Sequence, residues 1–151
     1  MINVKNWIKL FVLLLISIAA PLILIHYSLV DMDGIIALGA DFHYNMISMS
    51  AIIAGFLFTG ISILISAIDK ERVQRLWDNK YLDNLYRAAI IGMISNVATI
   101  IIGVTQLCIV RSESIELFLI KAEFVFLFIG VIFFVWSIKH LLFIIKRMHN
   151  Q

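Results

Sequence analysis

The sequence is poor in the residues on which soluble and disulfide-rich domains depend. It has one cysteine, one proline and seven glycines in 151 residues, and only 15% of its residues are charged, against about 25% in an average soluble domain. A single cysteine excludes an intrachain disulfide framework. So small a share of charged residues excludes a disordered tail, and the scarcity of glycine and proline leaves little room for flexible linkers.

Apolar residues take the place of the missing charge. They make up 62% of the chain, and the mean hydropathy is +1.02. A chain of this length cannot bury that much apolar surface in a soluble core. Four runs, at about 7–27, 47–68, 88–110 and 115–142, are long enough to span a bilayer. Because lipid offers no partners to backbone groups, we expect helices. The sequence therefore predicts an all-α integral membrane four-helix bundle in which residues 1–151 form a single four-span transmembrane domain.

The distribution of positive charge predicts the topology. Ten of the twelve lysine and arginine residues lie near the N-terminus, between the second and third runs, or near the C-terminus, whereas the first connection has no lysine or arginine and holds three aspartates. Positive charge marks the cytoplasmic side of a membrane. We therefore expect a protein of the bacterial inner membrane with both termini on the cytoplasmic side. The second helix is expected to continue to about Asp78 and turn near Asn79, the third to begin around Tyr81, and the fourth to continue to about Met148. Helices two and four thus extend into the cytoplasm.

Small residues recur at helical spacing on the second and third helices. Such stripes let two backbones approach closely in lipid. One interpretation is that the two helices pack on each other as a hairpin; the other is that one stripe faces a neighbouring subunit or a pore, which predicts a homo-oligomer. The residues are Ala51, Gly55, Thr59 and Ser62 on the second helix, and Gly92, Thr99 and Gly103 on the third.

Two amides, Asn96 and Gln106, lie on or beside the stripe of the third helix. An amide that faces lipid is costly, so both are expected to face protein or water. Either they join helices by hydrogen bonds or they line a hydrated path.

Glu123 is the most suggestive single residue, because an intramembrane carboxylate is a functional candidate by default. It lies about two turns into the fourth helix, on a polar line with a seven-residue spacing that ends at Ser137. The simpler interpretation is that Glu123 reaches interfacial water or pairs with Lys121 or Arg111. The alternative is a functional carboxylate inside the membrane.

The connection between the second and third helices mixes basic and aromatic residues. It predicts a docking surface, either for anionic lipid headgroups or for a cytosolic protein. Interleaved acidic residues argue against direct nucleic-acid binding. No enzyme motif is present, and the histidines do not complete a metal site by spacing, so we expect a non-enzymatic protein without cofactor or metal. The docking residues are Arg72, Arg75, Trp77, Lys80, Tyr81 and Arg87.

One stretch carries a family resemblance. The segment Ala54-Gly-Phe-Leu-Phe-Thr-Gly60, continuing through Leu64 to Asp69, together with the four-span layout, resembles the membrane subunits of the Kiwa anti-phage defence system. The resemblance covers the layout and this stretch, and it implies an oligomeric inner-membrane sensor that holds a cytosolic effector. We therefore expect a sensor or anchor in phage defence. The alternatives are a multi-subunit pore that permeabilises the membrane and an immunity protein against a membrane-active toxin.

Overall fold

The structure, a computed structural model, describes residues 4–66, 81–108 and 113–149, and all of its elements in these ranges are helices. Four of them are long and apolar enough to cross a membrane. This confirms the all-α four-helix fold class and supports a multi-pass membrane protein. The helices are α1 (Val4–His26), α2 (Met32–Leu38), α3 (Ala40–Ser66), α4 (Tyr81–Cys108) and α5 (Glu113–His149).

Two predicted boundaries agree with the structure. Helix α4 begins at Tyr81, and α5 continues to His149, one residue beyond the predicted end. Their long apolar runs contain no glycine pair or proline that would end a helix. The predicted continuation of the second helix to Asp78 and the turn near Asn79 lie outside the described residues.

The first connection is more helical than predicted. Helix α3 begins at Ala40, seven residues before the expected start at 47. The short helix α2 precedes it, and the Asp31 side chain caps α2 by accepting a hydrogen bond from the Gly34 N–H at 3.0 Å. Gly39 then separates the two helices with a φ of +53°, a value that favours glycine. The early start carries His43 onto a membrane-spanning helix.

Helix α4 is the centre of the bundle and packs mainly against α5 and α3, while α1 packs mainly against α5. Gly103 lies beside both Ile47 and Glu123, whereas Gly92 lies beside Leu57 and Phe133. Residue numbers fall on α3 as they rise on α4, and the same holds for α4 and α5, so both pairs are antiparallel.

The two ends of the bundle carry opposite charge. The end where α1 and α4 begin holds Lys9, Arg87, Lys139 and Lys146, and we call it the basic end; the other holds Asp31, Asp33 and Asp41, and we call it the acidic end. Large apolar side chains are exposed along all four long helices, as expected where lipid surrounds the bundle.

Candidate functional site

A histidine–glutamate pair joins α3 to α5 inside the bundle. The His43 Nδ1 lies 2.7 Å from the Glu123 Oε2. His43 is 6% exposed and Glu123 is fully buried. The expectation that Glu123 reaches interfacial water or pairs with Lys121 is therefore wrong, because its partner comes from another helix; Arg111 lies outside the described residues. A carboxylate at this depth is stabilised by a partner that supplies a proton.

Gly103 makes room for this pair. A Cβ atom on Gly103 would lie 2.6 Å from the Glu123 Oε1 and 2.9 Å from the Ile47 Cγ1. No side chain other than hydrogen fits without a shift of both neighbours. The predicted small residue on α4 thus has a definite role, which is to let α4 close over the link between α3 and α5.

The pair is a polar link in an otherwise apolar interior. Its hydrogen bond needs one proton between the Nδ1 and the Oε2. Among the described residues, the Oε1 of Glu123 has no hydrogen-bond partner. Breaking the hydrogen bond would leave two unpaired polar groups in the apolar interior. The bond therefore stabilises the packing of α3 against α5.

Asn96 forms a second close contact between helices, two helical turns before Gly103 on α4. It is fully buried, and it presses on Gly130 of α5 so closely that a Cβ on Gly130 would collide with its side-chain amide. Its Nδ2 donates to the Gly92 carbonyl oxygen at 2.7 Å, within α4. The predicted link between helices is therefore a packing contact, while the hydrogen bond stays on one helix. Its Oδ1 has no partner among the described residues.

Other predicted polar residues lie along the same interior. Gln106 bridges helices as expected, because its Nε2 donates to the Glu116 carbonyl oxygen on α5 at 3.2 Å. Thr99 and Ser137 are buried, and each hydroxyl donates to a carbonyl four residues earlier on its own helix. Ser50 of α3 is buried as well and has no described partner. These side chains form a polar row enclosed by one bundle.

The two stripes of small residues face in different directions. Gly92, Thr99 and Gly103 are buried against α3 and α5. The expectation that these two helices pack on each other as a hairpin is confirmed, because α3 and α4 are in extensive antiparallel contact. The stripe of α3, however, is exposed and lies outside that contact. We call this exposed stripe the α3 outer face: Ser48, Ala51, Gly55, Thr59, Ser62 and Ser66.

The reason is that α3 uses its opposite side for packing. Its buried residues are Phe42, His43, Ser50 and Leu57, and Leu57 fills the space over Gly92, where a Cβ would lie 3.0 Å from the leucine Cδ1. A glycine on α4 thus receives a large side chain from α3 rather than another small one.

The predicted docking residues are only partly described. Arg72, Arg75, Trp77 and Lys80 lie outside the described residues, and Tyr81 is the first residue of α4. Arg87 is half-buried, and its guanidinium carbon lies 4.8 Å from the centre of the Trp7 ring on α1. It therefore contacts another helix of the same bundle.

His43 is the functional residue that the sequence reasoning missed. It precedes the apolar run predicted as the second helix, and it lies 80 residues from its partner in the sequence. A usable signal is that His43, Ser50 and Leu57 are spaced seven apart, like the polar line of Glu123 on α5. Within the described ranges, no three His, Cys, Asp or Glu side chains gather closely enough to hold a metal ion.

Comparison of the chain with family models, curated proteins and solved structures gave no match. The functional argument therefore rests on the geometry of this chain.

Proposed function

We propose that this chain is a non-enzymatic subunit of a homo-oligomeric bacterial inner-membrane protein that senses a membrane event and anchors a cytosolic partner. The observation that carries the proposal is the α3 outer face. It points away from the bundle, and nothing lies within 4 Å of a Cβ built on Gly55. The α3 outer face, a surface of small side chains that would allow close helix packing, therefore has no partner among the described residues of its own chain.

The α3 outer face has the properties of a helix association surface in lipid. Helices associate there by close backbone approach, since apolar burial gives no net drive between them. Ala51, Gly55 and Thr59 are four residues apart and lie on one side of the helix. From Ala51 to Ser62 the face runs about 16 Å at 1.5 Å per residue, which is about half of the hydrocarbon thickness. A second copy of the same helix is the matching occupant.

The sensing part of the proposal rests on α5. This helix has 37 residues, so it is about 55 Å long, well beyond the hydrocarbon thickness of about 30 Å. The His43–Glu123 pair lies near its start, toward the acidic end. A change at this polar link would move α5 relative to α3, and a continuous helix carries that movement to the basic end. There the predicted docking segment would hold the partner.

A pore built from several copies has less support. Of its predicted lining residues, Asn96, Glu123 and Ser137 are buried within one bundle. Gln106 is half-buried and donates to a carbonyl oxygen of α5 in the same bundle. A channel between copies would need polar groups on an outer surface, and the hydroxyls of Ser62 and Ser66 on the α3 outer face already donate to carbonyl oxygens of their own helix. We therefore favour the assembly of closed subunits.

Cysteine cross-linking in native membranes tests the assembly. The exposed Cys108 is first replaced by serine, and Gly55→Cys is then introduced. We expect a disulfide-linked dimer on mild oxidation, because bridged Cα atoms must lie within about 7 Å. The matched control is Ile94→Cys, which is also exposed, 63%, and lies at similar depth on α4. Equal cross-linking at both sites, or none at Gly55→Cys, would contradict the proposal.

The anchor requires a separate test. The tagged full-length chain is purified from its host, and co-purifying soluble proteins are compared with those held by a variant in which Arg72, Arg75, Trp77 and Lys80 are replaced by alanine. We expect one stoichiometric partner that the variant loses while it stays in the membrane. The resemblance of the four-span layout to Kiwa membrane subunits leads us to propose phage defence as the setting, so deletion of the gene should raise plaque counts. A partner retained by the variant would contradict the proposed docking surface.

A further inference from the structure

A groove opens between α1 and α4 at the basic end of the bundle. Its volume is about 400 Å³, within the range of about 300–1,000 Å³ typical of ligand sites. It exists because α1 packs mainly against α5, which leaves its side toward α4 open. The lining residues are Trp7 and Leu10 of α1, with Asp83, Tyr86, Arg87, Ile90 and Ile91 of α4.

The groove lies at the level where headgroups meet hydrocarbon. Trp7 and Leu82 are the first residues of two membrane-spanning segments, so the start of the groove lies at the bilayer boundary. Leu10 lies about one turn beyond Trp7 on α1, and Ile91 lies about one turn beyond Arg87 on α4, so both are further in. The groove therefore has a polar mouth and an apolar floor, which is the pattern of a phospholipid.

Two opposite charges line the mouth and do not pair with each other. Asp83 and Arg87 are four residues apart on α4, where side chains are neighbours, yet the one ion pair among the described residues is His43 with Glu123. The ring of Trp7 lies against the Arg87 guanidinium. A contact of this kind leaves the N–H groups at the edge of the guanidinium able to donate hydrogen bonds. A half-buried cation and a carboxylate at this depth are costly unless each meets an opposite charge.

We propose that this groove binds one phosphatidylethanolamine molecule. The phosphate accepts hydrogen bonds from Arg87, whose planar fork suits phosphate oxygens. The ammonium group donates to Asp83, and an acyl chain lies along Leu10, Ile90 and Ile91. A headgroup with one negative and one positive charge complements a mouth with one positive and one negative charge. An anionic headgroup such as phosphatidylglycerol would satisfy Arg87 and meet repulsion from Asp83. The site requires only that the chain spans a membrane, and it is separate from the α3 outer face.

Native mass spectrometry of the full-length protein, released from bilayers with equal amounts of phosphatidylethanolamine and phosphatidylglycerol, tests this site. We expect wild-type protein to retain phosphatidylethanolamine with a preference of about tenfold, the factor that one charge-assisted hydrogen bond supplies. No preference, or a preference for phosphatidylglycerol, would overturn the proposal.

Four variants separate the parts of the site. Asp83→Asn should keep lipid binding and lose the preference, whereas Arg87→Gln should lower the retention of both lipids. Ile90→Trp should lower both by filling the groove without altering either charge. The control is Lys139→Gln, which removes a cation lying 5.9 Å from the Trp136 ring at the same end of the bundle and should bind like wild type. Retention by Arg87→Gln equal to that of Lys139→Gln would overturn the assignment, as would an unchanged preference in Asp83→Asn.

Discussion

A double-mutant cycle on His43 and Glu123 measures the link between α3 and α5. The perturbations are His43→Leu and Glu123→Met, which replace each polar side chain by an apolar one of similar size. Measured interhelical hydrogen bonds in lipid average about 0.6 kcal/mol and reach about 1.7 kcal/mol. This bond joins two buried groups at 2.7 Å, and one of them is a carboxyl group. We therefore place it at the upper end, with a coupling free energy of about 1.5 kcal/mol.

The single variants should differ from each other. His43→Leu leaves the Glu123 carboxyl group without its partner in the interior, and we expect a loss of about 3 kcal/mol. Glu123→Met leaves an imidazole that can stay uncharged, and we expect a loss of about 1–2 kcal/mol. The double variant leaves neither group unpaired. It should therefore be more stable than the sum of the two losses implies, by the coupling free energy.

Reversible unfolding in mixed micelles, followed by circular dichroism during titration with a denaturing detergent, gives the free energies of unfolding. The control cycle combines His43→Leu with Ser137→Ala, because the Ser137 hydroxyl donates within its own helix and lies four turns from Glu123. This control should be additive. Losses for His43 and Glu123 that also add within about 0.5 kcal/mol would refute the pair as a link between helices.

The other predictions concern glycine and serine positions in the same assay. Gly103→Ala should lower the free energy of unfolding by about 1–3 kcal/mol, since its Cβ would meet the Glu123 Oε1 at 2.6 Å; a neutral effect would contradict the close approach. Gly130→Ala should cost at least as much, because its Cβ would collide with the Asn96 amide. Gly55→Ala should leave the monomer unchanged or more stable by up to about 1 kcal/mol, because nothing lies within 4 Å of that Cβ. Ser137→Ala alone should change the free energy of unfolding by less than about 0.5 kcal/mol, and a larger loss would indicate a bond to another helix.

The four spans were predictable because hydropathy alone decides them. A run of about 20 apolar residues has no stable place other than a membrane helix, and the structure has four such helices. The start of α3 was not predictable in the same way. Residues 40–46 are mostly polar or aromatic, and only the break at Gly39 shows where the helix begins. Hydropathy does not detect a helix that continues past its apolar part.

Only one of the two residues of the candidate site was predictable from the sequence. The seven-residue spacing identified Glu123, because a polar line on an apolar helix must face protein or water. Its partner was not predictable, since His43 lies before the apolar run of the second helix and pairing over 80 residues depends on tertiary contacts. The orientation of α3 was also beyond the sequence. A helix with small residues on one side and Leu57 on the other can pack by either side. Gly92 on α4 makes room for Leu57, and this contact turns the Leu57 side of α3 toward the bundle.

The most direct measurement of the central claim is the native mass of the complex, purified from its own host in a mild detergent and again in lipid nanodiscs. The proposed function predicts a mass of two or more 17.2 kDa chains with additional mass from a soluble protein, and Gly55→Leu should shift the membrane component toward single chains. A single 17.2 kDa chain in both preparations would contradict the assembly, and an assembly without added mass would contradict the anchor.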